Sequence, residues 1–305
     1  MACILKRRSL VVVGVIVVCF FLMVLRLISE MKLPLQRNSF DKPIARWMPF
    51  SYPQNGSIRT HFGYVNIRTH EPLQLDCDLC AIVSNSGQMS GQRVGNEIDQ
   101  SSCVWRMNNA PTKSFEEDVG RRTTIRVVSH TSVPLLLKDP DYFFKETNST
   151  LFVIWGPFRN MRTDGNGIIY NMLRKAADRY TDAKIYVTTE KRMSYCDGVF
   201  KKETGKDRIQ SGSFLSTGWF TLILAMDACY GIHVFGMIND TYCKSDGFRK
   251  VPYHYYESGK NECDEYFLHE NAPFGSHRFI TEKTVFARWA KKKKIIFTHP
   301  NWTVS

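Results

Sequence analysis

The sequence predicts an α/β fold, a single domain with helices packed on both sides of a mostly parallel sheet. Three observations predict it. Short strand-like runs recur at residues 79–84, 104–107, 123–128, 151–155, 184–187, 232–235 and 295–298, each of strand length. Helix-length segments at 91–98, 168–180, 216–229 and 282–292 are interspersed with them, and such alternation is the pattern of parallel α/β sheets. The chain has 305 residues, 43% hydrophobic and 23% charged, enough for one large core with extra segments at an end.

The extra segments come first. Lys6, Arg7 and Arg8 precede the apolar run Leu10 to Leu25. With Ser9, Leu27 and Ile28 the run reaches transmembrane length, although Arg26 interrupts its far end. The positive flank predicts a cytoplasmic tail over 1–8 and a membrane span over 9–28. No small-x-small cleavage site follows the run, so the expectation is an uncleaved signal-anchor. Its short span suits the thinner membranes of the early secretory pathway. Residues 29–74 are polar, contain Pro, Gln and Asn and lack a sustained period, which reads as a stem. The globular domain is expected over 75–305.

A lumenal body agrees with other features. Asn55, Asn148, Asn239 and Asn301 each head an N-x-S/T sequon, a possible glycan acceptor in that compartment. Of nine cysteines, Cys3 and Cys19 fall in the tail and span. Cys77, Cys80, Cys103, Cys196, Cys229, Cys243 and Cys263 remain in an oxidising space, where disulfides form. That number is odd, so at least one thiol stays free or pairs with another chain. The net charge of +12 calls for an anionic partner. The lumenal location argues against nucleic acid.

Taken in order, the elements carry several candidate functional residues. The strand at 79–84 breaks into Ser84-Asn85-Ser86-Gly87, whose short side chains would let backbone N–H groups approach a phosphate or ribose; an ordinary strand-to-helix turn would look the same. The strand at 104–107 ends in Arg106, then Asn108, Asn109 and Pro111, offering neutral donors and acceptors at its carboxyl end. Ligands of such sheets sit beyond those ends. The helix at 216–229 opens on Ser216, Thr217 and Gly218. Its N-terminus suits a phosphate or carboxylate, and simple capping is the alternative. The segment 251–257, VPYHYYE, sets His254 among Tyr253, Tyr255 and Tyr256. In SHRFITE, His277 lies five residues before Glu282, and a histidine there could act as a general base near neutral pH. The last helix ends on Lys291 to Lys294, favourable at the negative dipole end.

Metal binding is not expected. Asp76 and Asp78, and Asp139 and Asp141, spell D-x-D. The first pair precedes its strand and the second straddles Pro140, which marks a turn. The histidines and cysteines lack zinc spacing.

Together these segments, in this order, resemble the animal sialyltransferase family over residues 75–305. Cys77 to Val128 resembles the family's long motif and Ser211 to Met237 its short motif. YHYYE resembles the third motif, and HRFITE resembles the very short motif. Within the family, RMNNAP, LSTGWF and MINDTYC resemble type III members of the N-acetylgalactosaminide α-2,6-sialyltransferases. The resemblance implies a GT-A-variant, Rossmann-like α/β/α domain around a seven-stranded sheet, anchored in the Golgi membrane with its body in the lumen. It implies CMP-sialic acid as donor, no cofactor and no metal. It implies transfer to the 6-hydroxyl of GalNAc in sialyl-α2,3-galactosyl-β1,3-GalNAc on glycoproteins and gangliosides, with inversion. Asn85 and Asn108 would contact the donor's phosphate, ribose or sugar. Ser216, Thr217 and Gly218 would bind near its cytosine and carboxylate. His254 would hydrogen-bond the departing phosphate, His277 would take the acceptor's proton, and Glu282 would be structural or orient His277. Cys80 and Cys229 would form the family disulfide. One position departs: some members carry Tyr two residues before the Ser of S-T-G, where this chain has Phe214. A sialyltransferase of another linkage, and a non-catalytic glycan- or nucleotide-binding protein on the same fold, are the competing readings.

Overall fold

The computed structural model describes Met23 and residues 58–145 and 149–303. Met23 apart, the expected tail and membrane span lie outside the described residues, as do the sequons at Asn55 and Asn148. Among the described residues no helix is long and apolar enough to cross a membrane.

Among the described residues nine strands form one sheet: β1 Thr60–Asn66, β2 Pro72–Gln74, β3 Cys77–Val83, β4 Cys103–Met107, β5 Ile125–Ser129, β6 Leu151–Trp155, β7 Lys184–Thr188, β8 Cys229–Phe235 and β9 Ile295–Thr298. The helices are α1 Gly95–Asp99, α2 Glu116–Val119, α3 Val133–Leu136, α4 Pro140–Phe144, α5 Phe158–Met161, α6 Ile168–Arg179, α7 Glu190–Thr204, α8 Thr217–Ala228, α9 Glu262–Asn271 and α10 Phe279–Lys292. All seven expected strands are present. The sheet has two more, because β1 and β2 form within the segment expected as stem. Residues 60–66, THFGYVN, lack a clean apolar alternation, so their strand character comes from pairing. Tyr64, Val65 and Asn66 pair antiparallel with Thr188, Val187 and Tyr186 of β7.

The strand order is β2-β1-β7-β6-β5-β4-β3-β8-β9. The chain steps outward from β3 through β7, then returns to place β8 on the other side of β3. Ligands of open α/β sheets bind at such a reversal, beyond the carboxyl ends of the strands. Side chains alternate between the two faces, as the period of a strand requires. Trp105, Val127 and Val153 pack on one side with Trp219, Phe220 and Leu224 of α8. Val128, Phe152 and Ile154 pack on the other with Leu173 and Ala177 of α6.

Among the described residues, Cys77–Cys103 and Cys80–Cys229 tie this core, and Cys243–Cys263 ties a smaller cluster with Ile238 and Tyr266. Cys80–Cys229 is the pairing the family resemblance implies. Cys196 is the free cysteine among the described residues; it is buried, and burial pushes its thiol up to about 12.

One expected helix differs. Residues 87–89 form a short 3-10 turn and α1 starts only at Gly95. The backbone of Gly91 and Arg93 has positive φ, 75° and 56°, and their N–H groups donate to the Asp118 carboxylate at 2.8 and 2.9 Å. The turn after β3 therefore does not open directly into a helix. The helix N-terminus at the reversal belongs to α8.

Candidate active site

The site residues come from loops at the carboxyl ends of β3, β4 and β8 and from the starts of α8 and α10. Their contacts link into one ring. The side-chain amide of Asn85 donates to the Met107 carbonyl at 3.4 Å and to the Tyr256 hydroxyl at 3.3 Å. Its Oδ1 is buried without a partner, and such an atom is rare unless something else satisfies it. The next residue after Met107 is Asn108, held at φ 51°. Its Oδ1 accepts from the Ser129 N–H at 3.0 Å and from the Thr217 hydroxyl at 3.4 Å. This joins the end of β4 to the start of α8.

Ser216 caps α8. Its Oγ accepts from the Trp219 N–H at 3.1 Å, which satisfies one of the donors that a helix start leaves open. Both its own N–H and its hydroxyl donate to the carboxylate of Glu282, the former at 2.8 Å. Glu282 is buried on α10, and burial pushes its carboxyl up to about 7. Glu282 thus orders the cap rather than His277. The neighbouring Lys283 is also buried, its ammonium held down to about 8 by desolvation and lying 4.1 Å over the Tyr266 ring.

His277 makes a different contact. Its Nδ1 donates to the Phe214 carbonyl at 3.0 Å. A carbonyl can only accept, so Nδ1 carries the proton and Nε2 of the neutral ring keeps its lone pair. Burial holds this imidazole below its ordinary pKa, which favours the neutral form, whose Nε2 can accept a proton. On the other side of the ring of contacts, His254 donates from Nδ1 to Glu257 at 2.7 Å. It stacks on Tyr256 at 5.0 Å and lies 4.4 Å from the Tyr253 ring. Tyr253 and Phe279 are 6.2 Å apart, and Phe279 and His277 are 5.0 Å apart. These contacts close the circuit from Asn85 through His254, His277 and Thr217 back to Asn108.

Gly87 explains why the turn after β3 and the tyrosine loop stay together. A Cβ there would come within 2.4 Å of the Pro252 carbonyl, so only glycine allows the approach. Tyr255, the middle of the three tyrosines, spends its hydroxyl on the Pro111 carbonyl. Tyr256, already on Asn85, is the one at the site.

Three of the four D-x-D aspartates are occupied elsewhere. Asp76 pairs with Arg59 at 3.0 Å; Asp139 caps α4 and Asp141 accepts from Tyr180. Cys77, Cys80 and Cys229 bring three sulfurs within 4.8 Å of one another, but all three are in disulfides and offer no thiolate. Sequence reasoning missed the pairing partners, Glu282 for Ser216, Tyr256 for Asn85 and Phe214 for His277. The first and third span more than 60 residues and the second 171, so no local pattern marks them.

Comparison with known proteins places the chain in a family. The model for glycosyltransferase family 29 (sialyltransferase) matches residues 36–294. The α-N-acetylgalactosaminide α-2,6-sialyltransferase 3 of Homo sapiens is 74% identical over 305 residues, all of both chains. That of Rattus norvegicus is 69% identical over the same length. The α-N-acetyl-neuraminyl-2,3-β-galactosyl-1,3-N-acetyl-galactosaminide α-2,6-sialyltransferase of Homo sapiens is 52% identical over 245 residues, covering 79% of this chain and 81% of that one. A solved mammalian sialyltransferase aligns with a TM-score of 0.48 and 22% identity, covering 72% of this chain and 68% of that one. The chain belongs to glycosyltransferase family 29 and is a sialyltransferase.

Proposed function

We propose that this enzyme transfers sialic acid from CMP-sialic acid to the 6-hydroxyl of GalNAc in sialyl-α2,3-galactosyl-β1,3-GalNAc, carried on glycoproteins and gangliosides. The names of its relatives support the GalNAc acceptor, the α-2,6 linkage and the trisaccharide. The observation that carries the mechanism is the donation from His277 Nδ1 to the Phe214 carbonyl, which fixes Nε2 as a proton acceptor.

In this reading the acceptor O6 gives its proton to His277 Nε2 as it bonds to the anomeric carbon of sialic acid. The bond from that carbon to the phosphate oxygen breaks, and its electron pair leaves with CMP. Attack from the face opposite CMP inverts the centre. His254 acts as the imidazolium, with Nδ1 on the Glu257 carboxylate and Nε2 donating to the departing phosphate. Asn85 meets the donor through its unpartnered Oδ1, Asn108 lies beside it, and the N-terminal N–H groups of α8 at Thr217 and Gly218 face the donor's anionic groups. No metal or cofactor takes part. Residues 9–28 anchor the chain in the Golgi membrane with the catalytic domain in the lumen, and nucleic acid is not a partner.

The test uses the full chain in detergent with CMP-sialic acid and the trisaccharide, with and without a chelator, beside His277→Ala. Chelator-resistant transfer to the GalNAc 6-position, lost in the variant, is expected. Transfer at another position or to no GalNAc acceptor overturns the linkage, and full activity of His277→Ala overturns the base.

A further inference from the structure

Two exposed phenylalanines lie on the two loop segments that pair at His277. Phe214 is 47% and Phe274 is 79% exposed. Each rests on a glycine of the other's loop. The Phe274 ring lies 3.2 Å from where a Cβ on Gly212 would sit, and the Phe214 ring lies 4.0 Å from the corresponding point on Gly275. Both glycines have positive φ, 62° and 67°, and the Gly275 N–H donates to the Gly212 carbonyl at 2.9 Å. The Phe214 N–H donates to the Ser276 carbonyl at 2.9 Å. Its own carbonyl fixes the His277 ring. The same backbone pairing therefore sets the two aromatic side chains and the base. Phe214 and His277 are bridge partners, which puts their backbones about 5 Å apart.

We propose that Phe214 and Phe274 form the floor on which the acceptor's sugar ring stacks. The proposal rests on the reading of His277 as the base. The group within one ring's width of the base has to be the sugar that carries the reacting hydroxyl, not a distant lipid or peptide. A pyranose of galacto configuration presents the C–H bonds of C3, C4 and C5 on one face. C6 and its hydroxyl hang from C5 at the edge of that face. A ring laid on this floor sets O6 at the rim of the aromatic surface, beside Nε2. Fixed aromatic rings supply such area at little entropic cost. The missing hydroxyl of Phe214 fits this role, because this position offers a ring face and no polar group.

The full chain in detergent is assayed as Phe214→Ala, Phe274→Ala, Phe214→Tyr and Phe274→Tyr. Each alanine is expected to raise the acceptor KM by roughly threefold to tenfold, with the KM for CMP-sialic acid unchanged. Each tyrosine restores the acceptor KM. In a second arm, saturation-transfer NMR with the methyl glycoside of GalNAc in the presence of CMP is expected to mark H3, H4 and H5, and to lose that pattern in the alanine variants. An unchanged acceptor KM, an equal rise in donor KM, or an unchanged NMR pattern in the variants overturns the floor. Transfer to a different hydroxyl overturns the linkage reading instead. The NMR arm decides the floor without any turnover.

Discussion

Ser216 and Glu282, 66 residues apart, meet through two hydrogen bonds to one buried carboxylate. The contact fastens the start of α8 to the first turn of α10. It thereby fixes the proposed donor-binding end of one helix relative to the loop that carries His277. Glu282→Ala would leave the Ser216 N–H unpaired and open a void. A stability loss of about 2–4 kcal/mol is expected, read by denaturant unfolding, with a matching fall in kcat/KM. Glu282→Gln keeps one acceptor and is expected to lose less of both.

Gly218 separates packing from binding. A Cβ at this position meets nothing closer than the Ser216 Oγ at 3.4 Å. Gly218→Ala therefore leaves the fold intact, and the better helix former holds or slightly raises Tm. If the donor lies against this turn, its KM rises about tenfold or more while Tm does not fall. A variant with unchanged donor KM places the donor elsewhere.

Burial holds the His277 pKa below 6.5. The proposed base is the neutral form, so lowering the pKa extends its working range toward acid. The acidic limb of kcat/KM is expected below pH 6.5, and a limb above that value contradicts His277 as the titrating group. Removing the imidazole should cost on the order of 10²- to 10⁴-fold in kcat, measured with saturating donor.

His233 affects stability by the same physics away from the chemistry. It is buried on β8, stacked 3.8 Å from Phe235 and bonded to the Thr298 hydroxyl at 2.8 Å. Burial pulls its pKa from 6.5 down to about 4. The unfolded chain takes up the proton first on acidification, so stability is full above pH 6.5 and falls as the pH drops toward 4. The loss reaches up to about 3 kcal/mol. Unfolding free energies at pH 7 and pH 4.5 should differ more for the native chain than for His233→Gln.

The Cys80–Cys229 disulfide closes a separation of 149 residues. It joins β3 to the start of β8, the strands that meet at the reversal of the sheet. Replacing both cysteines with alanine is expected to cost about 4–5 kcal/mol in the chain-entropy view. The site depends on that junction, so activity should fall in parallel with Tm. Activity that survives at full level would show that the ladder of β3 and β8 suffices.

The sequence by itself determined the material of the fold. Runs rich in β-branched and aromatic residues specify strands because burial on both faces calls for apolar side chains at most positions, and all seven such runs became strands. Ser216 marks the start of α8 because capping is decided within one helical turn. The four motif segments and their residues were legible for the same local reason, and through family resemblance. Tertiary structure alone decided which strand lies beside which. Parallel neighbours are joined through long crossovers, and any buried apolar strand is compatible with several others. It also made strands of 60–66 and 72–74, whose weak alternation gains meaning only beside β7. It gave Glu282 to Ser216, Tyr256 to Asn85 and the Phe214 carbonyl to His277. Those partners are set by where whole elements dock, and a hydrogen bond between side chains far apart in the chain leaves no periodic trace in either segment.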